Sequence, residues 1–468
     1  MHLLAYAVLF YRSKSVYIFP TIFTAILFLV ILLYLCIQAS YGTRLLESER
    51  RKGIASRSHL KRPEERYASL KIAHRFVNPF HEWREVKWWE TAFFWMRRWK
   101  GNGIPKSQEE LSVALPVMKP PLNLIFNKNN SYKLSQTMTK LYSKSKDTWV
   151  YLNKNGTEVI NPEKAKNPIT FTWLGQSTCL ITIEGLAILT DPVFTRRSIN
   201  EYLGPKRLRP VPCVLEDIQE NLDIVLVSHN HFDHLDSKVV AKLGNSVAWY
   251  VPLGLKYWFV ERGINNVLEM NWWEETKIKL RPDITVACVP AMHWSGFRTP
   301  FDKNETLWCS FVIKGQNENI FFCGDTGYSS ELFKAIGSRY SPLSLAAMPI
   351  GSFEPEFLMK HLHMGPTEAV KAHCDLGHPK VSVGIHWGTF MMSEEHYMDP
   401  PRALNQAWKD YVKSRQRIQR TQRIQPELDS IDNCLSSSVR ESDSDRILDS
   451  QFITTALGET LWIKSGLE

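Results

Sequence analysis

Cysteine is scarce in this chain, eight residues in 468, and none stands at CxxC or any other paired spacing. A disulfide framework is therefore not what holds the fold, and an oxidising compartment is not required. Cys179, Cys288, Cys309 and Cys323 sit inside apolar, strand-like runs and read as reduced core thiols. Acid is missing from the start: no Asp or Glu precedes Glu47, while Arg12 and Lys14 do. That composition is compatible with mitochondrial import, although an endoplasmic reticulum anchor would look similar. Charge of either sign is absent from Val16 to Ile37, a 22-residue run. As a helix it would span roughly 33 Å, enough for a bilayer. A cleaved secretory signal has a shorter apolar core and a small-residue exit, which Leu35-Cys36-Ile37-Gln38 does not supply, so the run reads as a retained single-pass anchor.

Elsewhere the balance is that of a globular protein, 44% hydrophobic and 22% charged. The formal net charge is +9, and all of that excess falls between Arg44 and Lys106. Beside a membrane span such a segment meets anionic lipid headgroups more naturally than nucleic acid; the positive-inside tendency would keep the rest of the chain on the cytosolic or matrix side, and a stop-transfer route would place it oppositely. The 16 Trp suggest apolar or interfacial surfaces. Phe80 to Trp99 alternates aromatics with charge and reads as an amphipathic helix, packed on the core, facing lipid, or both. Ser107-Gln-Glu-Glu110 predicts a capping box for a short helix ended by Pro116. The chain then divides into a targeting and transmembrane anchor (1–43), a basic aromatic-rich segment (44–126), a polar insertion with weak strands near Trp149 (127–168), a catalytic domain (169–424), a disordered polar insertion (425–450) and a strand returning to the core (451–468).

What the chain does have is imidazole and carboxylate where apolar runs stop. Ile224-Val-Leu-Val227 ends at Ser228 and is followed by His229-Asn-His231-Phe-Asp233-His234. In extended backbone alternate side chains share a face, so His229 and His231 can grip one cation while Asp233 and His234 face a second. A merely polar loop is a poor account of four ligand-type side chains directly after a core strand. His293, Asp325 and His386 likewise each follow an apolar run. A bridging Asp325 then gives His229, His231 and His293 to one metal and Asp233, His234 and His386 to the other. With imidazole and carboxylate but no thiolate, two zinc ions are the first choice, and manganese or iron suit the same donors.

These residues, in this order, resemble the metallo-β-lactamase superfamily. The phrases Trp173-Leu-Gly175, Leu189-Thr-Asp191-Pro192, Gly324-Asp325-Thr326-Gly327-Tyr328 and Ile385-His386-Trp387-Gly388 look like the N-acyl-phosphatidylethanolamine-hydrolysing phospholipase D family, fungal mitochondrial type. The likeness extends upstream to Arg75-Phe-Val-Asn78-Pro79 and Leu115-Pro-Val-Met-Lys-Pro120. It implies an α/β fold, a four-layer αββα sandwich with the metals at one sheet edge. It also implies hydrolysis of a membrane diester lipid to N-acylethanolamine and phosphatidic acid, with Asp233 and Asp325 in the catalytic set. Asp191 would orient a ligand imidazole. His363, in Leu362-His-Met-Gly-Pro366, would orient phosphate or protonate the leaving alkoxide. The family also suggests a homodimer. Two departures stand out: Phe232 where relatives often have Tyr, and Gln176 where they often have His. The same ligand set serves nucleases and lactonases, and a catalytically dead membrane scaffold is the alternative of another class.

Overall fold

Two runs of apolar strands build two seven-stranded sheets in this computed structural model, which describes residues 2–97, 102–126, 168–200, 202–299, 302–424 and 450–463. The polar insertions up to residues 167 and 449, and the strands expected near Trp149, lie outside the described residues. A hairpin of β1 (Leu70–Ile72) and β2 (Arg75–Val77) precedes the sheets. One sheet contains β3 (Ile169–Gly175), β4 (Thr178–Ile183), β5 (Leu186–Thr190), β6 (Ile224–Leu226), β7 (Ala248–Pro252) and β8 (Val267–Met270). The other contains β9 (Glu275–Ile278), β10 (Arg281–Val289), β11 (Ser310–Lys314), β12 (Asn319–Phe322), β13 (Leu345–Pro349) and β14 (Val381–Ile385). The last two strands go to different sheets: β15 (Gln451–Ile453) pairs with β14 and β16 (Thr460–Ile463) with β3.

Alternation along the strands decides the layering. Phe171, Ile181, Ile188 and Ile224 join Val286, Phe311 and Phe321 of the facing sheet in one large core. Their neighbours Leu180, Leu189 and Val225 point the other way, onto Val239, Val240 and Leu243 of the helix Ser237–Leu243. Phe333 and Ile336 of the helix Ser330–Tyr340 and Ala369 and Ala372 of the helix Pro366–Asp375 extend the large core. Each such side chain withdrawn from water contributes on the order of 1.5–3 kcal/mol for a Leu, Ile or Phe, so a one-residue slip in any strand would be strongly disfavoured. Two sheets face each other with helices outside, as the αββα expectation has it.

Some expectations are corrected. The sequence reads Ser329 to Ile336 as a helix closed by Gly337, yet the helix runs on to Tyr340, because Gly337 is a point of close approach: a Cβ there would lie 2.6 Å from the Asp375 carbonyl. The amphipathic helix expected over Phe80–Trp99 covers only Trp88–Arg97 among the described residues. Its start is fixed by Glu90, whose carboxylate accepts from the Lys87 backbone N–H at 2.8 Å and from Arg84, while Phe80 and Trp83 turn into the core instead. The Ser107 cap is present, its hydroxyl accepting from the backbone of Glu109 and Glu110.

The chain separates into two compact units, Met1–His59 and Leu60–Glu468. The first is a single helix, His2–Ala55, which passes the expected boundary at residue 43 without a break. Ile22, Phe23, Phe28 and Leu29 on it are exposed. No helix among the described residues is long and apolar enough to cross a membrane, so the single-pass anchor read from Val16–Ile37 is not borne out. The side chains of that run's first six residues lie outside the described residues.

Candidate metal centre

Each candidate ligand stands where a strand of one sheet or the other ends, so the sandwich delivers all of them to one rim. β6 ends at Leu226, and Ser228 is held by Asp191, which ends β5: the Ser228 backbone N–H and hydroxyl donate to the Asp191 carboxylate at 2.7 and 2.5 Å. The same carboxylate bonds His234 Nδ1 at 2.6 Å, leaving Nε2 of that ring turned toward the cluster. Asp191 thus orients an imidazole, as the resemblance implied. His229 and His231 approach one another through Nε2 and Nδ1 at 2.8 Å, and His293 Nε2 lies 3.4 Å from the same His231 nitrogen. His293 is fixed from behind by the Leu362 carbonyl at 2.8 Å, and its own carbonyl accepts from Asn78 at 2.7 Å.

Six of the seven candidate ligands fall into two groups of three. His229, His231 and His293 form one group whose ligand atoms all lie within 4.8 Å of one another, and Asp233, His234 and His386 form a second. Asp325 lies between them, its Oδ2 3.1 Å from His386 Nε2, 3.2 Å from His234 Nε2 and 3.8 Å from His293 Nε2. His363 joins His293 and Asp325 in a third group, its Nδ1 3.7 Å from Asp325 Oδ2, and Asp191, His229 and His234 make a fourth. The side chains of Asp233 and His363 keep 11% and 12% of their surface open and His231 is part-exposed, whereas the side chains of His234 and His386 have none.

Burial and neighbouring charge set the protonation. Burial lowers His229 well below the ordinary imidazole value and holds His231, His293 and His363 down to about 3. Neutral imidazoles with free lone pairs are the form a cation binds. Burial would also lower His234 and His386, but Asp325 and Asp233 outweigh it, lifting His234 well above the ordinary value and His386 up to about 9. Burial would raise Asp233 and Asp325, yet the His234 charge beside them keeps both well below the usual carboxylate range. His231 Nε2, His234 Nε2 and Asp325 Oδ1 are buried without a hydrogen-bond partner. Buried polar atoms are normally paired, and unpaired nitrogen and oxygen atoms on three of the clustered candidate ligands fit a site built for cations.

Three residues were not assigned as contributors from the sequence. Gln176, noted only as a departure, donates Nε2 to Asp233 Oδ2 at 2.8 Å and touches His386 Nε2 at the same distance. It sits at φ 52°, and His386 itself at 61°, strained backbone of the kind that collects at functional sites. Ser228 and Asn78 act through the contacts above, which join segments far apart in the chain. Gly324, before Asp325, has φ 58°, and a Cβ there would lie 2.7 Å from the Ser228 Cβ, so only glycine lets the two ligand loops meet.

A protein-family model described as a β-lactamase superfamily domain matches residues 187–387. Over 246 residues the chain is 44% identical to "N-acyl-phosphatidylethanolamine-hydrolyzing phospholipase D 1" of Caenorhabditis elegans, covering 50% of this chain and 68% of that protein. Over 349 residues it is 36% identical to "N-acyl-phosphatidylethanolamine-hydrolyzing phospholipase D, mitochondrial" of Saccharomyces cerevisiae, 72% of each chain. Among solved structures, a metallo hydrolase from the archaeon Ignicoccus hospitalis aligns with TM-score 0.44 and 18% identity over 63% of this chain and 98% of that one, too distant to bear on activity.

Proposed function

Because the chain belongs to the N-acyl-phosphatidylethanolamine-hydrolysing phospholipase D family of the β-lactamase superfamily, we propose that it hydrolyses N-acyl-phosphatidylethanolamine at a two-cation centre. The observation that carries this reading is Asp325 Oδ2 standing between two triads of ligand atoms, each triad gathered within 4.8 Å. His229, His231 and His293 would hold one cation, Asp233, His234 and His386 the other, and Asp325 both. Zinc is the first choice for these donors, manganese and iron the alternatives. Bound there, the cations make water nucleophilic near neutral pH and polarise a phosphoryl oxygen.

The chain's own residues do the rest. Asp191 holds His234 at Nδ1 so that Nε2 faces the centre, and Gln176 fixes the Asp233 carboxylate. His363, on the open side of the centre, is placed to orient the phosphate and to return a proton to the leaving oxygen. The water oxygen becomes bonded to phosphorus, the bond from phosphorus to the ethanolamine oxygen breaks, phosphatidic acid keeps the new oxygen, and N-acylethanolamine leaves with the proton.

A lipid substrate calls for a lipid-facing surface. On the helix Trp88–Arg97, Trp89, Phe93 and Met96 are exposed on one side, with Lys87 and Arg97 over the Trp89 and Phe93 rings. Phe94 on the opposite side packs on Leu358 and Met359, just before His363. Membrane contact through this stripe would present the lipid beside the centre. The acid-free start and the yeast relative's printed name support a mitochondrial membrane location, and a homodimer is part of the same reading.

The test is incubation of the metal-analysed protein with vesicles containing N-acyl-phosphatidylethanolamine in ¹⁸O-water. Mass spectrometry should find N-acylethanolamine without label and phosphatidic acid carrying one ¹⁸O, both lost on chelation. Label in the N-acylethanolamine, or cleavage of RNA or a lactone but not of the lipid, would overturn the assignment.

A further inference from the structure

Arg298 follows the ligand His293 by five positions, and its side chain reaches back across the loop that carries four other candidate ligands. Its Nε donates to the Asn230 carbonyl at 2.8 Å and its Nη2 to the Leu235 carbonyl. Those carbonyls lie on either side of His231, Phe232, Asp233 and His234. Phe232 lays its ring against the guanidinium, 5.0 Å from centroid to Cζ, and Trp258 approaches at 5.2 Å. The adjoining backbone adds a third tie, Gly296 N–H to Asn230 Oδ1 at 2.6 Å. Between these ties the loop closes on itself, with the backbone N–H groups of His234 and Leu235 donating to the His231 carbonyl at 3.1 and 3.0 Å.

We propose that Arg298 is a positioning residue that brackets the turn from Asn230 to Leu235 and thereby sets the geometry of the Asp233, His234 and His386 cation site. The inference rests on the two-cation reading of the centre. Its selectivity comes from how many ligands of each triad the bracketed turn carries. In the first triad His229 is backed by Ser228 and His293 by Leu362, so only His231 depends on the bracketed turn. In the second triad both Asp233 and His234 lie inside the bracket: Gln176 and Asp191 meet their side chains, but the backbone that carries both is the one Arg298 spans, and only His386 comes from another strand end. A planar guanidinium can address two carbonyls at once and stack on rings, whereas an ammonium can reach one carbonyl and cannot stack in the same way. Phe232, which had no explained role in the sequence, becomes the apolar platform of this clasp.

The experiment measures zinc binding by chelator competition on the full chain, with melting temperatures of the metal-free proteins, for wild type, Arg298→Lys and Arg298→Gln. The expected result is two equivalents in the wild type. In Arg298→Gln the first equivalent should be unchanged and the second weakened about 10–100-fold, the range for losing a group that orients ligands. Arg298→Lys should recover part of that loss, with metal-free melting temperatures within a few degrees of wild type. Unchanged binding of both equivalents in both variants overturns the proposal. So does an equal loss at both sites accompanied by a fall in melting temperature, which would make Arg298 a packing residue. Fewer than two equivalents in the wild type would instead refute the two-cation reading on which the proposal stands.

Discussion

Replacing Asp191 by Asn tests the centre through a residue outside the two triads. The Asp191 carboxylate has two acceptor oxygens in use: Oδ1 takes the Ser228 backbone N–H, and Oδ2 takes the Ser228 hydroxyl and His234 Nδ1 at 2.6 Å. An amide keeps one acceptor and places an NH2 where the other stood. If its oxygen stays on the Ser228 N–H, the NH2 meets His234 Nδ1 as a donor. His234 must then accept at Nδ1 and carry its proton on Nε2, the nitrogen that faces Asp325 at 3.2 Å and would bind the cation. Forcing the wrong tautomer on a metal-binding His, or removing its partner, typically costs 10–100-fold in affinity, about 1.4–2.7 kcal/mol. The larger loss should fall on the cation held by Asp233, His234 and His386, because His234 belongs to that triad, whereas the first triad feels the change only through Ser228, whose hydroxyl also meets His229 Nδ1 at 2.9 Å. Chelator competition should show one equivalent weakened by that factor, with the Asn variant still folded by circular dichroism. Wild-type affinity at both equivalents in folded Asp191→Asn would refute the reasoning.

Other outcomes are expected from the same geometry. Asp325→Asn should lower turnover on the order of 100–1000-fold and reduce metal content, because a neutral amide between the two triads cannot balance two cations; full activity beside wild-type metal content would contradict the bridging role. His373, away from the centre, is buried between the Ser382 and Ser450 hydroxyls, and burial depresses it from 6.5 to about 3. The unfolded chain takes up that proton first, so the contribution is complete above pH 6.5 and is lost as pH falls toward 3, by on the order of 2–3 kcal/mol at pH 4.5. His373→Gln should therefore flatten the acid limb of melting temperature against pH relative to wild type, and identical limbs would count against it. Trp89→Ala with Phe93→Ala should reduce sedimentation with anionic vesicles several-fold while sparing hydrolysis of detergent-dispersed lipid; unaltered sedimentation would exclude this stripe as the contact.

The clustering of the candidate ligands was legible because each sits at a local boundary, an apolar run giving way to His or Asp, and sheet formation brings such boundaries to a common rim. His229 and His231 needed only the two-residue period of extended backbone. The supporting residues were not legible in the same way. Gln176 and Asp233 are 57 positions apart, and Asn78 and His293 are 215 apart, so no local pattern links them. Gly337 looked like a helix stop because glycine often is one, and only the packed helix Pro366–Asp375 reveals that its missing side chain makes room for a neighbour. In the Phe80–Trp99 stretch the aromatic period suggested one long helix, yet Phe80 and Trp83 found more burial in the core than a helical face would have given them.

The closing strands carry a consequence for how the protein is made. β15 and β16 extend the sandwich from its two different sheets, and they are synthesised after every candidate ligand. Until they emerge from the ribosome, β14 and β3 offer unpaired backbone groups to any neighbouring chain, the usual template for edge-to-edge association. A message truncated before residue 450 would therefore encode all of the chemistry and yet yield aggregate, with the tail serving as the fold's own edge guard.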